Sequence, residues 1–490
     1  MQPGARVTAS TLRIGVVLHS TLQPAWVCRV LEHVRNAHRL ERVVFSAPQP
    51  ANEPLAARVL RRLDDAAFGR SGDALAECDA APLLDGTPVA SSITRNAVDV
   101  VLAFAPVDTT EADVWSVEQD GLGALVSDRL VMRAVLRSRE GVVAATSARH
   151  DPISLRRGLS RLGWRVAAMI EHALDRRSKG TLVPVAANDP QQPSRPTTAK
   201  AAARAASAAS AWVRQKYRDR FANEQWSIAF AYGSDAGFDV RRFHQIVPPP
   251  DRLWADPFVI ADGDRAWIFV EELVFAEGRG VLAVLEARRD GTWTEPRRIL
   301  ERPYHLSYPC VFRWNGAFYM IPESGENRSI DLYRCVSFPY HWELDRSLIR
   351  GVHAVDTTVF EHGGRWWMYF ATDSGDGAGF DRLWAFHAES PHGPWMPHRW
   401  NPLMCDVVGG RPGGRPFAWQ GRLVRAGQVG APHYGHSIVL REIVTLTPEA
   451  WEERDIQTIG PDTIGAKGTH TLNADGDFTV VDVMRFRRRS

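Results

Sequence analysis

Trp254-Ala255-Asp256-Pro257-Phe258-Val259-Ile260 opens a pattern that the rest of the chain repeats. After it come a glycine-containing turn and an aromatic run ending in acid, Trp267-Ile268-Phe269-Val270-Glu271-Glu272. The layout returns as Ser307-Tyr308-Pro309-Cys310-Val311-Phe312 with Phe318-Tyr319-Met320-Ile321-Pro322-Glu323-Ser324, and again as Val355-Asp356-Thr357-Thr358-Val359-Phe360 with Trp366-Trp367-Met368-Tyr369-Phe370. Weaker copies follow at Gly413-Gly414-Arg415-Pro416-Phe417 with Leu423-Val424-Arg425, and at Thr469-His470-Thr471-Leu472-Asn473 with Phe478-Thr479-Val480-Val481-Asp482. Taking Asp256, Tyr308, Asp356, Gly413 and Thr469 as equivalent, the steps are 52, 48, 57 and 56 residues. Hairpins repeating at a period of about fifty residues are the signature of a radial β-propeller. Five copies predict an all-β propeller of five blades over residues 224–490. A strand at Glu224-Gln225-Trp226-Ser227-Ile228-Ala229-Phe230-Ala231-Tyr232 precedes the first copy, and pairing it with the last blade would close the ring and remove an exposed edge.

Composition sets the outer bounds. With 44% hydrophobic and 24% charged residues among 490, the chain is an ordinary globular one with room for more than one core. The 59 basic and 57 acidic residues leave a net charge of +2, which gives no field for recruiting nucleic acid. The basic tail Arg485, Arg487, Arg488 and Arg489 reads as a solvated terminus. Five scattered cysteines without a C-x-x-C spacing predict free thiols rather than a disulfide framework or a zinc site. The sequence starts without an apolar signal core and has no apolar run long enough to span a bilayer, so the expectation is a cytoplasmic protein with no transmembrane segment.

Residues 1–176 read as an α/β domain of Rossmann-like type, ahead of the propeller. Leu12-Arg13-Ile14-Gly15-Val16-Val17-Leu18 suits a strand buried on both faces, and residues 24–37 carry helical spacing through Val27, Val30, Leu31 and Val34. Arg42-Val43-Val44-Phe45 and Val98-Asp99-Val100-Val101-Leu102-Ala103-Phe104 follow as strands, and residues 155–174 as a closing helix. This arrangement resembles the N-terminal domain of folate-dependent formyltransferases; formyl transfer by it would require folate binding. Their Asn, His and Asp constellation has no counterpart in the Ala105-Pro106-Val107-Asp108-Thr109-Thr110 that follows, and no G-x-G-x-x-G follows the first strand. His19 and Ser20 lie at the strand end where such sheets bind ligands. Residues 177–223 form a link, flexible at Asn188-Asp189-Pro190-Gln191-Gln192-Pro193-Ser194-Arg195-Pro196 and helical over residues 200–220.

In a propeller the first strand of each blade lines the channel, so residues far apart in sequence become neighbours at one end. Asp256 and Asp356 come from blades one and three and face each other there. Two carboxylates held apart by a rigid ring suit acetal chemistry, one protonating the leaving oxygen and the other activating an attacking hydroxyl. The alternative is that both cap turns through side-chain hydrogen bonds. Glu271, Glu272 and Glu323 end second strands, Glu323 at the sharp Pro322-Glu323-Ser324 turn. Arg411, Arg415, Arg425, Gln428, His436 and His470 come from the last two blades. Arg411 and Arg415 either hold a phosphate by bidentate contacts or knit blades together. Thirteen of the seventeen tryptophans fall within the propeller. Trp254, Tyr308, Trp366, Trp367 and Tyr434 either pack between blades or stack on sugar rings, and alternation lets only one of Trp366 and Trp367 face inward. No cluster has transition-metal spacing and no cofactor is required; calcium is the cation that such a channel of carboxylates and carbonyls could admit.

The Ala255-Asp256-Pro257 strand start, with Tyr308-Pro309 and Asp356 at the next two repeats, resembles the five-bladed furanosidases that include family 43 glycosidases. The motifs Trp254-Ala255-Asp256-Pro257-Phe258, Tyr319-Met320-Ile321-Pro322-Glu323-Ser324, Trp366-Trp367-Met368-Tyr369-Phe370, Tyr434-Gly435 with Ile443, and Thr469-His470-Thr471-Leu472-Asn473 carry a closer resemblance. It is to the N-terminal propeller of plant glucosamine inositolphosphorylceramide transferases, a domain that also occurs in bacterial proteins behind a formyltransferase-like domain. The glycosidase resemblance implies that Asp256 holds the general-base position, while the second Asp falls on Tyr308 and the acid Glu on Asp356. One position kept, one lost and one shortened depart from ordinary hydrolysis. In the plant proteins the transferase activity is attributed to a separate domain.

The expectation is therefore a carbohydrate-active protein of surface-glycan or glycolipid biosynthesis, acting by glycosyl transfer on an activated sugar beside other glycan-assembly enzymes. Asp256 would be the base, Asp356 and Glu323 would orient hydroxyls or assist departure, and Arg415 would meet a phosphate. Trp254, Tyr308, Glu272, Trp366, Gln428, His436 and His470 would bind substrate. Two alternatives stay open: a furanosidase-type hydrolase, and a non-catalytic glycan-binding or scaffold propeller.

Overall fold

The structure, a computed structural model, describes residues 10–47, 55–69, 73–94, 96–107, 112–120, 131–183, 198–233, 239–373 and 379–488. The stretch Asp108-Thr109-Thr110, the Pro-rich link from Asn188 to Pro196, and Arg489 lie outside the described residues. The chain divides into two compact units, Met1–Gln215 and Lys216–Ser490, with the boundary inside the helix Thr198–Phe221.

In the first unit a six-stranded sheet runs in the order Arg39–Phe45, Arg13–Leu18, Val100–Ala103, Val114–Gln119, Val131–Ser138, Gly141–Arg149. The first four strands are parallel and the last two antiparallel. The pleat explains why Arg13–Leu18 is apolar throughout. Ile14, Val16 and Leu18 share a core with the helices Ala25–Ala37 and Leu155–Ser178, while Val17 joins Ile93, Val98 and Val101 on the other face. Gly15 sits within this strand because a side chain there would meet Ile93 Cδ1 at 2.8 Å. Ser154 caps the long helix by accepting from the Arg157 N–H.

The second unit is a five-bladed propeller. Blade one is Arg252–Asp262, Arg265–Val274, Gly280–Arg288 and Arg297–Leu300; blade two is Ser307–Trp314, Ala317–Glu323, Ser329–Ser337 and His341–Arg350. Blade three is Val355–His362, Arg365–Asp373, Phe380–Ala388 and Met396–Pro397; blade four is Val408–Pro412, Arg422–Val429, Ser437–Thr447 and Ala450–Ile459. Blade five joins Leu472–Asp475 and Phe478–Arg488 to Ala222–Tyr232 and His244–Ile246, so the strand ahead of the first repeat closes the ring as expected. Apolar clusters between successive blades hold the wheel together, among them Phe258, Phe269, Phe312 and Trp366 around blade two.

The inner strands share a defect that positions the site. Pairing slips between Ala255 and Phe258, Ser307 and Cys310, and Val355 and Thr358, and the first extra residue of each bulge is left-handed: Asp256 at φ 52°, Tyr308 at 46° and Asp356 at 52°. Bulges re-aim side chains, and aspartate tolerates the left-handed region better than a bulky residue does. In blade four the slip lies between Val408 and Arg411, with Gly409 at φ 84°. The blade-four counterpart of Asp256 is thus Gly409, four residues ahead of the expected Gly413. Gly413 instead passes its carbonyl to the Leu472 N–H of blade five at 2.8 Å.

Candidate functional site in the propeller channel

The bulge at Asp256 delivers a buried carboxylate to blade five. Asp256 Oδ1 accepts from Thr471 Oγ1 at 2.8 Å and faces His470 Nε2 at 3.2 Å. The other ring nitrogen of His470 lies 2.7 Å from Asp482 Oδ2, an ion contact without hydrogen-bond alignment. Asp482 Oδ1 accepts the N–H groups of His470 and Thr471 at 2.8 and 3.1 Å, and Oδ2 that of Asp256 at 3.3 Å. Burial acts to strip the charge from His470, but the Asp482 and Asp256 carboxylates overcome it and raise the imidazole pKa to about 10. Burial likewise opposes the charge on Asp256, and His470 with Thr471 outweighs it, holding Asp256 below the usual carboxylate range.

The bulge at Asp356 builds a second group from blades two, three and four. Arg411 grips Asp356 with Nε at 2.5 Å and Nη2 at 3.1 Å, and Gln428 Nε2 donates at 2.5 Å to Asp356 and at 2.8 Å to Pro412 O. The Asp356 N–H donates to Glu323 Oε2 at 3.2 Å, and Arg411 Nη2 lies 3.9 Å from the same oxygen. Burial first, then the charge of Asp356, raises Glu323 well above the usual carboxyl range; Arg411 offsets only part of this. The two groups feel each other, since Asp256 adds to the shift on Glu323 and Arg411 to that on Asp256. The Asp356 side chain is 1% exposed, against 15% for Glu323 and 18% for Arg411, so solvent reaches the cluster through the latter two.

Tyr434, 45% exposed, touches both groups: the Arg411 guanidinium lies 5.1 Å from its ring centroid and the His470 ring centroid is also 5.1 Å away. Glu271, the blade-one counterpart of Glu323 in register, faces His305 Nε2 at 3.2 Å, while His305 Nδ1 accepts the Gly280 N–H. Burial raises the Glu271 carboxyl as well, against the bond from His305.

The structure therefore brings Asp256, Asp356, Glu323, Gln428 and His470 together. It does not bring the other expected binders. Trp254 is core between blades five and one, edge-on to Trp293, with its Nε1 donating to Glu272. Glu272 points to the face opposite Glu271, as alternation demands, and is held by Arg252 at 3.1 Å and Arg298 at 2.6 Å. Trp366 packs on Phe312 at 5.3 Å and Trp367 joins the blade three–four core, so both are structural rather than one of them facing inward. Tyr308 is fully buried, its hydroxyl accepting the Gly414 N–H at 2.7 Å and paired with Thr358 Oγ1 at 2.8 Å, which makes it a plug tying blades two, three and four. Arg415 knits blades: its N–H donates to Asn473 Oδ1 at 2.7 Å and Nη1 to Val311 O at 2.9 Å. His436 neighbours His433 and Ser437, where burial lowers it to about 4, and it reaches neither carboxylate group.

Asp482 and Thr471 were missed. The available signal for Asp482 was the acid that ends the fifth copy's second strand, as Glu271-Glu272 and Glu323 end theirs. The donor atoms of Asp256, His470 and Asp482 lie within 4.8 Å of one another, spacing that a metal ion could use. Calcium's preference for a full shell of oxygens suits an imidazole-centred triad poorly.

The family described as "Glucosamine inositolphosphorylceramide transferase 1, N-terminal" matches residues 245–480. The Arabidopsis thaliana protein named glucosamine inositolphosphorylceramide transferase 1 is 35% identical over 211 residues, 42% of this chain and 28% of that protein. Its namesake from Oryza sativa subsp. japonica is 33% identical over 208 residues, again 42% and 28%. The chain thus spans little more than a quarter of the length of these curated relatives. Among solved structures, a family 117 glycoside hydrolase from Zobellia galactanivorans covers 53% of this chain and 90% of its own, at 12% identity and a TM-score of 0.36. A GH43_1 enzyme from Xanthomonas citri covers 42% and 77%, at 16% identity and a TM-score of 0.34. The propeller resembles the N-terminal domain of the inositolphosphorylceramide transferases, the likeness expected from its motifs.

Proposed function

We propose, from that likeness and the channel chemistry, that the propeller recognises a sugar and promotes glycosyl transfer in glycolipid or surface-glycan assembly. One observation carries the reading: within one channel a carboxylate is held below its usual range and a carboxyl above it. Environments that push two acids apart assign a base and an acid. Asp256 would take the proton of the acceptor hydroxyl as its oxygen attacks the anomeric carbon. Glu323, rather than Asp356, would give its proton to the leaving oxygen as that bond breaks. Both oxygens of Asp356 are occupied by Arg411 and Gln428, which suits it to holding Arg411 in place. Arg411 is the cation on hand for a phosphate, and Tyr434 the exposed ring for a sugar face. The same pair of acids supports a hydrolase, with water in the acceptor's place.

The test incubates the full chain with nucleotide sugars or sugar phosphates and a glycolipid acceptor, and separately with aryl furanosides and no donor. Wild type is compared with Asp256→Asn and Glu323→Gln. Transfer that needs the activated donor and is lost in both variants supports the proposal. Release from furanosides without a donor moves the reading to hydrolysis. Sugar binding without turnover leaves recognition alone, and neither binding nor turnover sinks the channel as a sugar site.

A further inference from the structure

Away from the propeller, in the first unit, the helices Ala25–Ala37 and Leu155–Ser178 pack on each other through Val27, Val30, Val34, Val166, Ile170 and Leu174. Arg29 donates to Glu171 with Nε at 2.7 Å and Nη2 at 3.0 Å. One turn further along both helices, His33 Nε2 stands 3.2 Å from Asp175 Oδ1. The spacing is i to i+4 on each helix, so the first ion pair fixes the register of the second. His38 ends the first helix in an extended conformation and turns its ring edge-on to His33, with centroids 5.6 Å apart. It is only 9% exposed, yet among the described residues neither of its ring nitrogens has a hydrogen-bond partner. A buried imidazole with no partner is an unmet demand for a ligand or proton. The donor atoms of His33, His38 and Asp175 lie within 4.8 Å of one another.

We propose that His33, His38 and Asp175 form a binding site for a first-row transition-metal dication, zinc foremost. Ligands about 2.0–2.2 Å from a tetrahedral ion stand roughly 3.3–3.5 Å apart, so these donors close on one ion with small side-chain rotations. Two imidazoles and one carboxylate select zinc, cobalt or nickel over calcium and magnesium, which want oxygen shells. Asp175 is 42% and His33 22% exposed on their side chains, which leaves the fourth position to water. The positive charge of Arg29 is offset by its ion pair with Glu171. Bound there, the metal staples the end of one helix to the other, and binding only the folded form raises thermal stability.

The probe is Co2+ added to metal-free full chain and read by visible absorption, with Zn2+ as competitor. A single equivalent should give the intense absorption of tetrahedral cobalt, displaced by Zn2+. It should be lost in Asp175→Asn and His38→Gln and kept in His470→Gln. The Asp175→Asn change, at a half-exposed helix position, keeps the test readable should His38→Gln fail to fold. Zn2+ should also raise the melting temperature of wild type and not of Asp175→Asn. No absorption, absorption that survives Asp175→Asn, or absorption that disappears instead in His470→Gln overturns the site.

Discussion

Glu323 and Asp256 respond oppositely to the same kind of change, and that difference separates chemistry from structure. Glu323 favours its neutral form, so Glu323→Gln should keep stability within about 1 kcal/mol while abolishing transfer, because an amide has the shape of the neutral acid but no proton to give. Asp256→Asn leaves the His470 imidazolium short of a buried partner and should cost ~3–5 kcal/mol, read by chemical denaturation. The pH dependence follows with a fixed sign. The folded pKa of His470, about 10, lies above its unfolded value near 6.5, so its contribution is complete below 6.5 and is lost as pH rises through 10. Glu323 and Glu271, also raised when folded, act in the same direction above their unfolded values. The propeller's denaturation midpoint should therefore fall between pH 7 and 10, with one group imposing at most roughly 1.4 kcal/mol per pH unit. His470→Gln should flatten that fall, and an unchanged profile in the variant would contradict the assignment.

Individual strands show why part of the site could be read and part could not. Asp256 and Asp356 stand out in sequence because they repeat at one place in the blade, and the bulge that repeats with them gives both the left-handed turn. Tyr308 shares that place but not the role: its ring is buried edge-on to Phe258 and its hydroxyl ties Gly414 to Thr358. Tyr308→Phe should cost about 1–3 kcal/mol by leaving a buried N–H unmet, read as a lower melting temperature. The aromatics misled, since a tryptophan in a strand carries no mark of which face it takes when both faces are covered. Trp254→Ala should destabilise by ~3–5 kcal/mol, whereas Tyr434→Ala should leave the melting temperature nearly unchanged and weaken sugar binding. A calorimetric titration beside a melting curve distinguishes the two. Asp482, whose partners are three backbone N–H groups, the Thr469 hydroxyl and a histidine, had only its place at a strand end to announce it.

For the molecule as a whole, the blade count and the closing strand were plain from the repeat, because each blade must present the same hairpin to its neighbours. The exact match of the fourth copy was not, since Gly409 and Gly413 sit in the same glycine-rich run and only pairing tells them apart. Closure makes a further prediction. Deleting residues 222–232 should leave Phe478–Arg488 with an open edge and yield aggregated protein in sedimentation, while a fragment beginning near residue 216 should remain soluble. That closing blade also sets a timetable. Asp256 belongs to the first blade made, and its partners His470, Thr471 and Asp482 to the last, so the buried Asp256–His470 ion pair cannot form until the last blade has been synthesised. Until Phe478–Arg488 emerges, Ala222–Tyr232 has a partner on one edge only, His244–Ile246, and a translation product interrupted before that point carries the motif of the site without its ion pair.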